Sequence, residues 1–274
     1  MKHEFRSFYL DSPLQPGRVF DLFLPETATR DTALFFVHGG GWCAGSRTAY
    51  HAIMERCSEL GYLCASTDYR LAGPVRFADA PGVTAFDQLR DIRESYDRFV
   101  TCLKERKRPL KIGVFGTSAG AHLASLLLCA DPGECGETCI LRNEWVKPFR
   151  GVLQSTPVTF EPWEDIFPQI WGDMQIYAAG CRYKSDPARF RALSLRNYLR
   201  GDNPPLLFLE AENEHMFPPA MTREVVRVHN RMNIPSQWKI CRNAEHGFFY
   251  SLDRAVQREA FQDIMRFLDG ETVS

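Results

Sequence analysis

Short stretches rich in Val, Phe, Leu and Ile recur along the whole chain: RVFDLFLP (18–25), TALFFVHGG (32–40), LCASTDYR (63–70), KIGVFGTS (111–118), FRGVLQST (149–156), PLLFLEAE (205–212) and SQWKICRNA (236–244). Several are nearly unbroken apolar runs, the pattern of strands covered on both faces rather than one. Helical patterns lie between them. Phe86, Leu89, Ile92, Tyr96, Phe99 and Leu103 recur at three and four residues, as do Met221, Val225, Val228 and Met232, and a last helix uses Val256, Phe261, Ile264, Met265 and Leu268. Strand alternating with helix predicts an α/β chain with a mostly parallel central sheet and helices on both faces, in one domain over residues 1–274. HEFRSFYL (3–10) and RVFDLFLP, joined through DSPLQPG, read as an antiparallel pair at the sheet edge.

Residues 157–203 break this rhythm. They carry Phe160, Trp163, Phe167, Trp171 and Tyr177 among prolines with no clean period, and Pro204 and Pro205 restart the sheet. This reads as a short cap-like insertion over the carboxyl edge of the sheet, where ligands bind in such folds.

The chain has 274 residues, 45% of them apolar, enough to bury a large core. Its 33 basic and 34 acidic residues leave a net charge of −1, which points to neither nucleic acid nor an anionic membrane. The KERKR run (104–108) reads as the solvated end of a helix. Residues 112–130 hold no charged side chain, close to the length of a membrane span, but the glycines, serines and histidine among them fit a strand, a turn and a buried helix. The first residues have no apolar core of a signal peptide, so a soluble, cytoplasmic protein is expected. Nine cysteines lack paired metal spacing and read as free thiols in a reducing compartment, so no metal is expected.

Four segments carry the chemistry. GTSAG (116–120) fits G-x-S-x-G between a strand and a helix, placing Ser118 on a tight turn at the head of a helix. A glycine-rich turn with no reactive serine would look the same. HGGGW (38–42) follows a buried strand, and its three glycines allow a loop whose amides face a ligand. Of the seven histidines, His246 in NAEHGFF lies between the last strand and the last helix, the position suited to a base. The segment EAENEH offers Glu210, Glu212 and Glu214 as the orienting acid; Glu214 lies beyond the strand end and is favoured, with Glu212 second.

Together HGGGW, STDYRLA, GTSAGAHLA, PPLLFLEAENEHMFPP and EHGFF resemble, in order, the α/β-hydrolase superfamily. The likeness is to its HGGG-bearing esterase branch, including hormone-sensitive-lipase-like and bacterial feruloyl or acetylxylan esterase-like enzymes. It runs from about Val19 to the last helix. The resemblance implies Ser118 as nucleophile, His246 as general base, Glu214 as acid, and the amides of Gly40, Gly41 and Ala119 as the oxyanion hole. Glu214 stands where the family usually has Asp, and Thr117 where it often has Asp.

The resemblance therefore implies a serine hydrolase, needing no cofactor, that cleaves carboxylic esters of short-chain or aromatic acids, with a small-molecule ester as its partner. Trp42, Trp163, Phe167 and Trp171 are the aromatic candidates for the substrate pocket. Three alternatives stay open: an N-formyl amide hydrolase like kynurenine formamidase, a peptidase, and a non-catalytic ligand-binding member of the fold.

Overall fold

Strand β5 (Lys111–Thr117) lies in the middle of the sheet, and six of its seven residues are buried. The computed structural model describes residues 4–10, 18–73 and 82–273. Around β5 lie β1 (Glu4–Tyr9), β2 (Val19–Leu24), β3 (Thr32–Val37), β4 (Cys64–Thr67), β6 (Arg150–Gln154), β7 (Leu206–Asn213) and β8 (Gln237–Glu245). The eight strands run in the order β1-β2-β4-β3-β5-β6-β7-β8. β2 is antiparallel to both β1 and β4, and every pairing from β4 to β8 is parallel. The expected edge hairpin and mostly parallel sheet are both present, while the connection DSPLQPG lies outside the described residues.

The helices divide between the two faces. Helix α1 (His51–Glu59) and α7 (Ala255–Asp269) pack Ile53, Met54, Phe261 and Ile264 against Phe36, Phe115 and Leu207. On the other face, α2 (Ala85–Glu105), α3 (Ala119–Cys129) and α6 (Pro219–Arg231) meet Phe35, Val114 and Phe208. Every residue of α3 is buried, as its unbroken apolar run requires. Residues 112–130 are therefore β5, a tight turn and α3, and no helix among the described residues is long and apolar enough to cross a membrane.

The start of α2 is set by Asp87, whose carboxylate accepts the Thr84 N–H at 3.0 Å. At its middle, Arg93 pairs with Glu137 at 2.6 Å, both side chains fully shielded from water. The same guanidinium donates to Ala130 O at 3.0 Å, tying α2 to the end of α3. Residues 157–203 form α4 (Pro168–Asp173), which continues into a π turn (Met174–Ala179), then α5 (Pro187–Ala192) and a 3-10 turn (Leu195–Tyr198). Phe160 and Phe190 are fully buried there, packing the segment down onto the α3 side of the sheet.

Because β3 and β5 to β8 run parallel, their carboxyl ends lie along one edge of the sheet. Each leads there into a segment with a polar or glycine-rich residue: Gly39, Ser118, Ser155, Glu214 and His246.

Candidate active site

Ser118 leaves β5 at φ 53° and ψ −122°, a positive-φ conformation that costs a non-glycine residue strain. Two backbone bonds hold it there. Its N–H donates to Gln154 O at 2.9 Å, and His122 N–H closes on Ser118 O at 2.9 Å. The turn also needs its glycines, because a Cβ on Gly120 would sit 2.2 Å from His38 O. Helix α3 thus crosses the end of β3 at backbone contact distance. Gly120→Ala is expected to cost about 1–3 kcal/mol in stability through this clash, and to lose activity as the 38–42 loop is pushed aside. Thermal unfolding with an activity assay on the surviving fold checks it; a variant that melts and works like its parent would show the crossing to be looser than described.

His246 directly follows β8, and its Nε2 lies 2.8 Å from Ser118 Oγ. Its Nδ1 lies 2.8 Å from Glu214 Oε2. The Glu214 side chain is fully shielded, and its other oxygen accepts the Met216 N–H at 2.9 Å. Burial pushes the Glu214 carboxyl up, but hydrogen bonds from His246, Met216 and Ser155, with the His246 charge, more than offset it and leave it below the ordinary value. An ionised Glu214 accepts a hydrogen bond from Nδ1–H, which keeps the ring proton on Nδ1 and leaves Nε2 free to accept one from Ser118.

The other two acidic candidates go elsewhere. Glu210 is buried against α6 beside Thr222, and burial pushes its carboxyl up to about 8, so it is neutral in neutral solution. Glu212 is exposed near the end of β7 and accepts the Asn243 N–H at 2.8 Å. The remaining described histidines are also occupied. His38 stacks on Tyr69 at 4.2 Å, His51 bonds Asp21 and His229 bonds Ser236, each at 2.8 Å, and His215 lies on the exposed loop after β7. His122 is fully buried; it accepts from Trp42 Nε1 at 3.2 Å and donates to Leu193 O at 2.8 Å, with burial lowering it to about 4. His3 lies outside the described residues.

The glycine loop after β3 is fixed from both sides. Gly39 N–H donates to Tyr250 Oη at 3.0 Å, and Trp42, at φ 64°, is clamped edge-on against His122 and Phe160. Gly40 has φ 125°, and a Cβ there would lie 2.2 Å from Ala44 O, so the sharp bend requires glycine. Gly40 and Gly41 line the cleft in front of Ser118. Ala119 opens α3, and an amide in the first helical turn has no acceptor within its own helix. Thr117 accepts from Tyr50 Oη at 2.6 Å, and Tyr50 packs on Tyr250 at 5.0 Å between ring centres. Where the wider family often has Asp, this chain thus uses a threonine and two tyrosines to tie the serine turn to the histidine loop.

The cleft has a volume of about 540 Å³. Its apolar wall is Trp42, Ile170, Met216, Phe217 and Tyr250. Of the four aromatic candidates for the pocket, Trp42 lies on this wall and Trp163, Phe167 and Trp171 lie elsewhere. Trp163 faces a neighbouring groove and reaches the cleft only through Phe217, 6.5 Å away. Trp171 packs on Tyr183 and Phe190, each at 5.7 Å, and Phe167 is 54% exposed. Trp171 thus covers apolar surface of its own insertion, and the short α4 turns Ile170 and Asp173 to the cleft instead.

Three contributors were not foreseen from sequence: Ser155, Tyr250 and Asp173. Ser155 sits at φ 51° just past β6, accepts from Gln154 Nε2 at 2.6 Å and hydrogen-bonds the Glu214 carboxylate. Strand order could have found it, since β6 lies between the strand of the serine and that of the acid.

The BD-FAE family profile matches residues 20–227, most of the chain. This chain belongs to the BD-FAE family of α/β-hydrolases. Esterase LipQ of Mycobacterium tuberculosis is 28% identical over 231 residues, covering 78% of this chain and 50% of LipQ. The chain thus spans about half the length of that relative, and 27% of the arylacetamide deacetylase of Oryctolagus cuniculus, to which it is 32% identical over 117 residues, 39% of this chain. In structure it superposes on esterase B from Lactobacillus rhamnosis with a TM-score of 0.76 at 18% identity, covering 98% of this chain and 85% of that one. At that identity the likeness establishes the fold, the α/β-hydrolase fold foreseen from the motifs.

Proposed function

We propose that this BD-FAE protein is a serine hydrolase that cleaves carboxylic esters of short-chain or aromatic acids through an acyl-enzyme. The observation that carries the reading is the unbroken line Glu214–His246–Ser118, two contacts of 2.8 Å each, opening into a cleft beside Gly40 and Gly41. Ser118 Oγ attacks the ester carbonyl while its proton passes to His246 Nε2. The negative charge that gathers on the carbonyl oxygen meets the amides of Gly40, Gly41 and Ala119. His246 then hands the proton to the leaving oxygen, the alcohol departs, and the acyl group stays on Ser118. Water attacks that ester with His246 again as base, which frees the acid and restores the serine. Throughout, Glu214 holds the imidazole in the working tautomer and stabilises its protonated form.

The related proteins lend the same direction: LipQ is named an esterase. The whole chain is read as one catalytic unit with residues 157–203 as its cap-like insertion. All nine cysteines are free thiols, which fits a reducing, cytoplasmic setting.

Acyl preference tests the substrate class. A cleft of about 540 Å³ must seat both the acyl group and the alcohol, which favours short or flat acyl groups. On p-nitrophenyl esters from about two to sixteen carbons, kcat/KM is expected to peak at the short end by about tenfold or more, equal to 1.4 kcal/mol of transition-state binding. A peak at ten carbons or beyond would replace this reading with a lipase-like one. Turnover of an N-formyl anilide above every ester would favour the formamidase reading instead.

A further inference from the structure

Among the described residues that line the cleft, Asp173 is the one carrying a carboxylate, and no lysine or arginine lines it. We propose that Asp173 is a specificity-determining residue: it makes the cleft favour esters bearing a cationic group and disfavour esters bearing an anionic one. The inference rests on the esterase reading above and goes beyond it by naming the charge class of substrate.

Asp173 ends α4, whose other cleft residue is the apolar Ile170. One oxygen accepts from Gln169 Nε2 at 3.0 Å, one helical turn back. No cationic side chain lies within ion-pair distance of it among the described residues. Such an i,i+4 contact adds little to a helix, so the fold gives no strong reason for a carboxylate here. Partial burial pushes the carboxyl up from its ordinary value, so the group sits in a medium that screens charge less than open water does. Its field also reaches the glycine loop: the Cys43 thiol is raised first by burial and then by the charge of Asp173. Cys43 lies one residue past Trp42, so the carboxylate stands across from the loop that faces Ser118.

The oxyanion that forms at Gly40 and Gly41 is itself negative. The proton that passes to His246 in the same step offsets that charge, so the standing charge a substrate meets on the cleft wall is that of Asp173, which repels an anionic group and draws a cationic one. In physiological salt, charges remain felt over about 8 Å, the scale of a small cleft.

The test uses matched thioacetates with the same acetyl group and three leaving thiols: 2-(trimethylammonio)ethanethiol, neutral 3,3-dimethylbutanethiol and 2-mercaptoethanesulfonate. A second series places the charge on the acyl side, comparing p-nitrophenyl esters of trimethylammonioacetate, pentanoate and succinate. Within each enzyme, kcat/KM is referred to the neutral member, so a general loss of activity cancels. For the parent enzyme at low ionic strength the cation-to-anion ratio is expected to reach about tenfold or more in at least one series, shrinking as salt is added. Asp173→Asn should bring that ratio close to one, and Asp173→Lys should invert it. Ratios in Asp173→Asn that match the parent in both series would overturn the proposal. Absence of turnover on both neutral members overturns the esterase reading itself, which separates the two failures.

Discussion

Replacing Ser118 with alanine is expected to lower ester turnover by about 10⁶-fold and to abolish labelling by a fluorophosphonate probe. The size of the loss is set by the groups that remain. Without an Oγ there is no acyl-enzyme, and only the binding of the ester beside the Gly40 and Gly41 amides survives. The fold should not suffer, because the bonds that hold the turn are backbone bonds, Ser118 N–H to Gln154 O and His122 N–H to Ser118 O. Alanine still bears the strain of φ 53°, so the melting temperature should stay near that of the parent. Active-site titration with the probe, read by intact mass, checks the labelling and steady-state assays check the rate. A Ser118→Ala protein that keeps its turnover would reduce the elbow to a connecting turn and end the serine-hydrolase reading.

That the serine and histidine could be read from sequence has a physical cause. Each must leave the carboxyl end of a parallel strand: the apolar run in KIGVF marks where the serine's strand ends, and SQWKIC marks the late strand that the histidine follows. The turn at Ser118 also leaves a mark in sequence, because backbone contact between α3 and β3 admits only glycine at 120. The walls of the cleft left no such mark. Trp163, Phe167 and Trp171 have the composition of a pocket, but whether an aromatic ring faces a ligand or its own core depends on the turn of a helix only six residues long. Ser155 and Tyr250 were hidden for a different reason. Each acts on a residue distant in sequence, Ser155 on Glu214 and Tyr250 on Gly39, and no local period encodes such a contact. Among the three glutamates, strand alternation alone cannot choose, since Glu210 and Glu212 are two residues apart and would share a face of a regular strand; the register shift between Ala211 and Asn213 breaks that regularity, and Glu214, past the strand end, turns toward the histidine loop.

Glu214→Gln is expected to lower kcat by up to about 10⁴-fold while leaving KM within a few fold. The substitution preserves shape and volume, so the loss reports charge and tautomer rather than packing. A glutamine can present its amide N–H to His246 Nδ1, which would move the ring proton to Nε2, the nitrogen that must accept from Ser118. Even with its carbonyl turned to Nδ1, a neutral amide stabilises the imidazolium far less than a carboxylate that burial has removed from water. Glu214→Asp should also lose activity, since the 2.8 Å contact to Nδ1 spans the full reach of the longer side chain. Glu212→Gln is the control: its carboxylate is exposed and accepts only the Asn243 N–H, a role the amide oxygen of glutamine can fill. Its kcat should therefore stay within about twofold of the parent, as for surface substitutions that remove no buried interaction. Steady-state kinetics on one short-chain ester, with circular dichroism to verify folding, compares all three variants. If Glu212→Gln were the variant that lost activity and Glu214→Gln were not, the acid would belong two residues earlier on β7, and the 2.8 Å contact at His246 would be only structural.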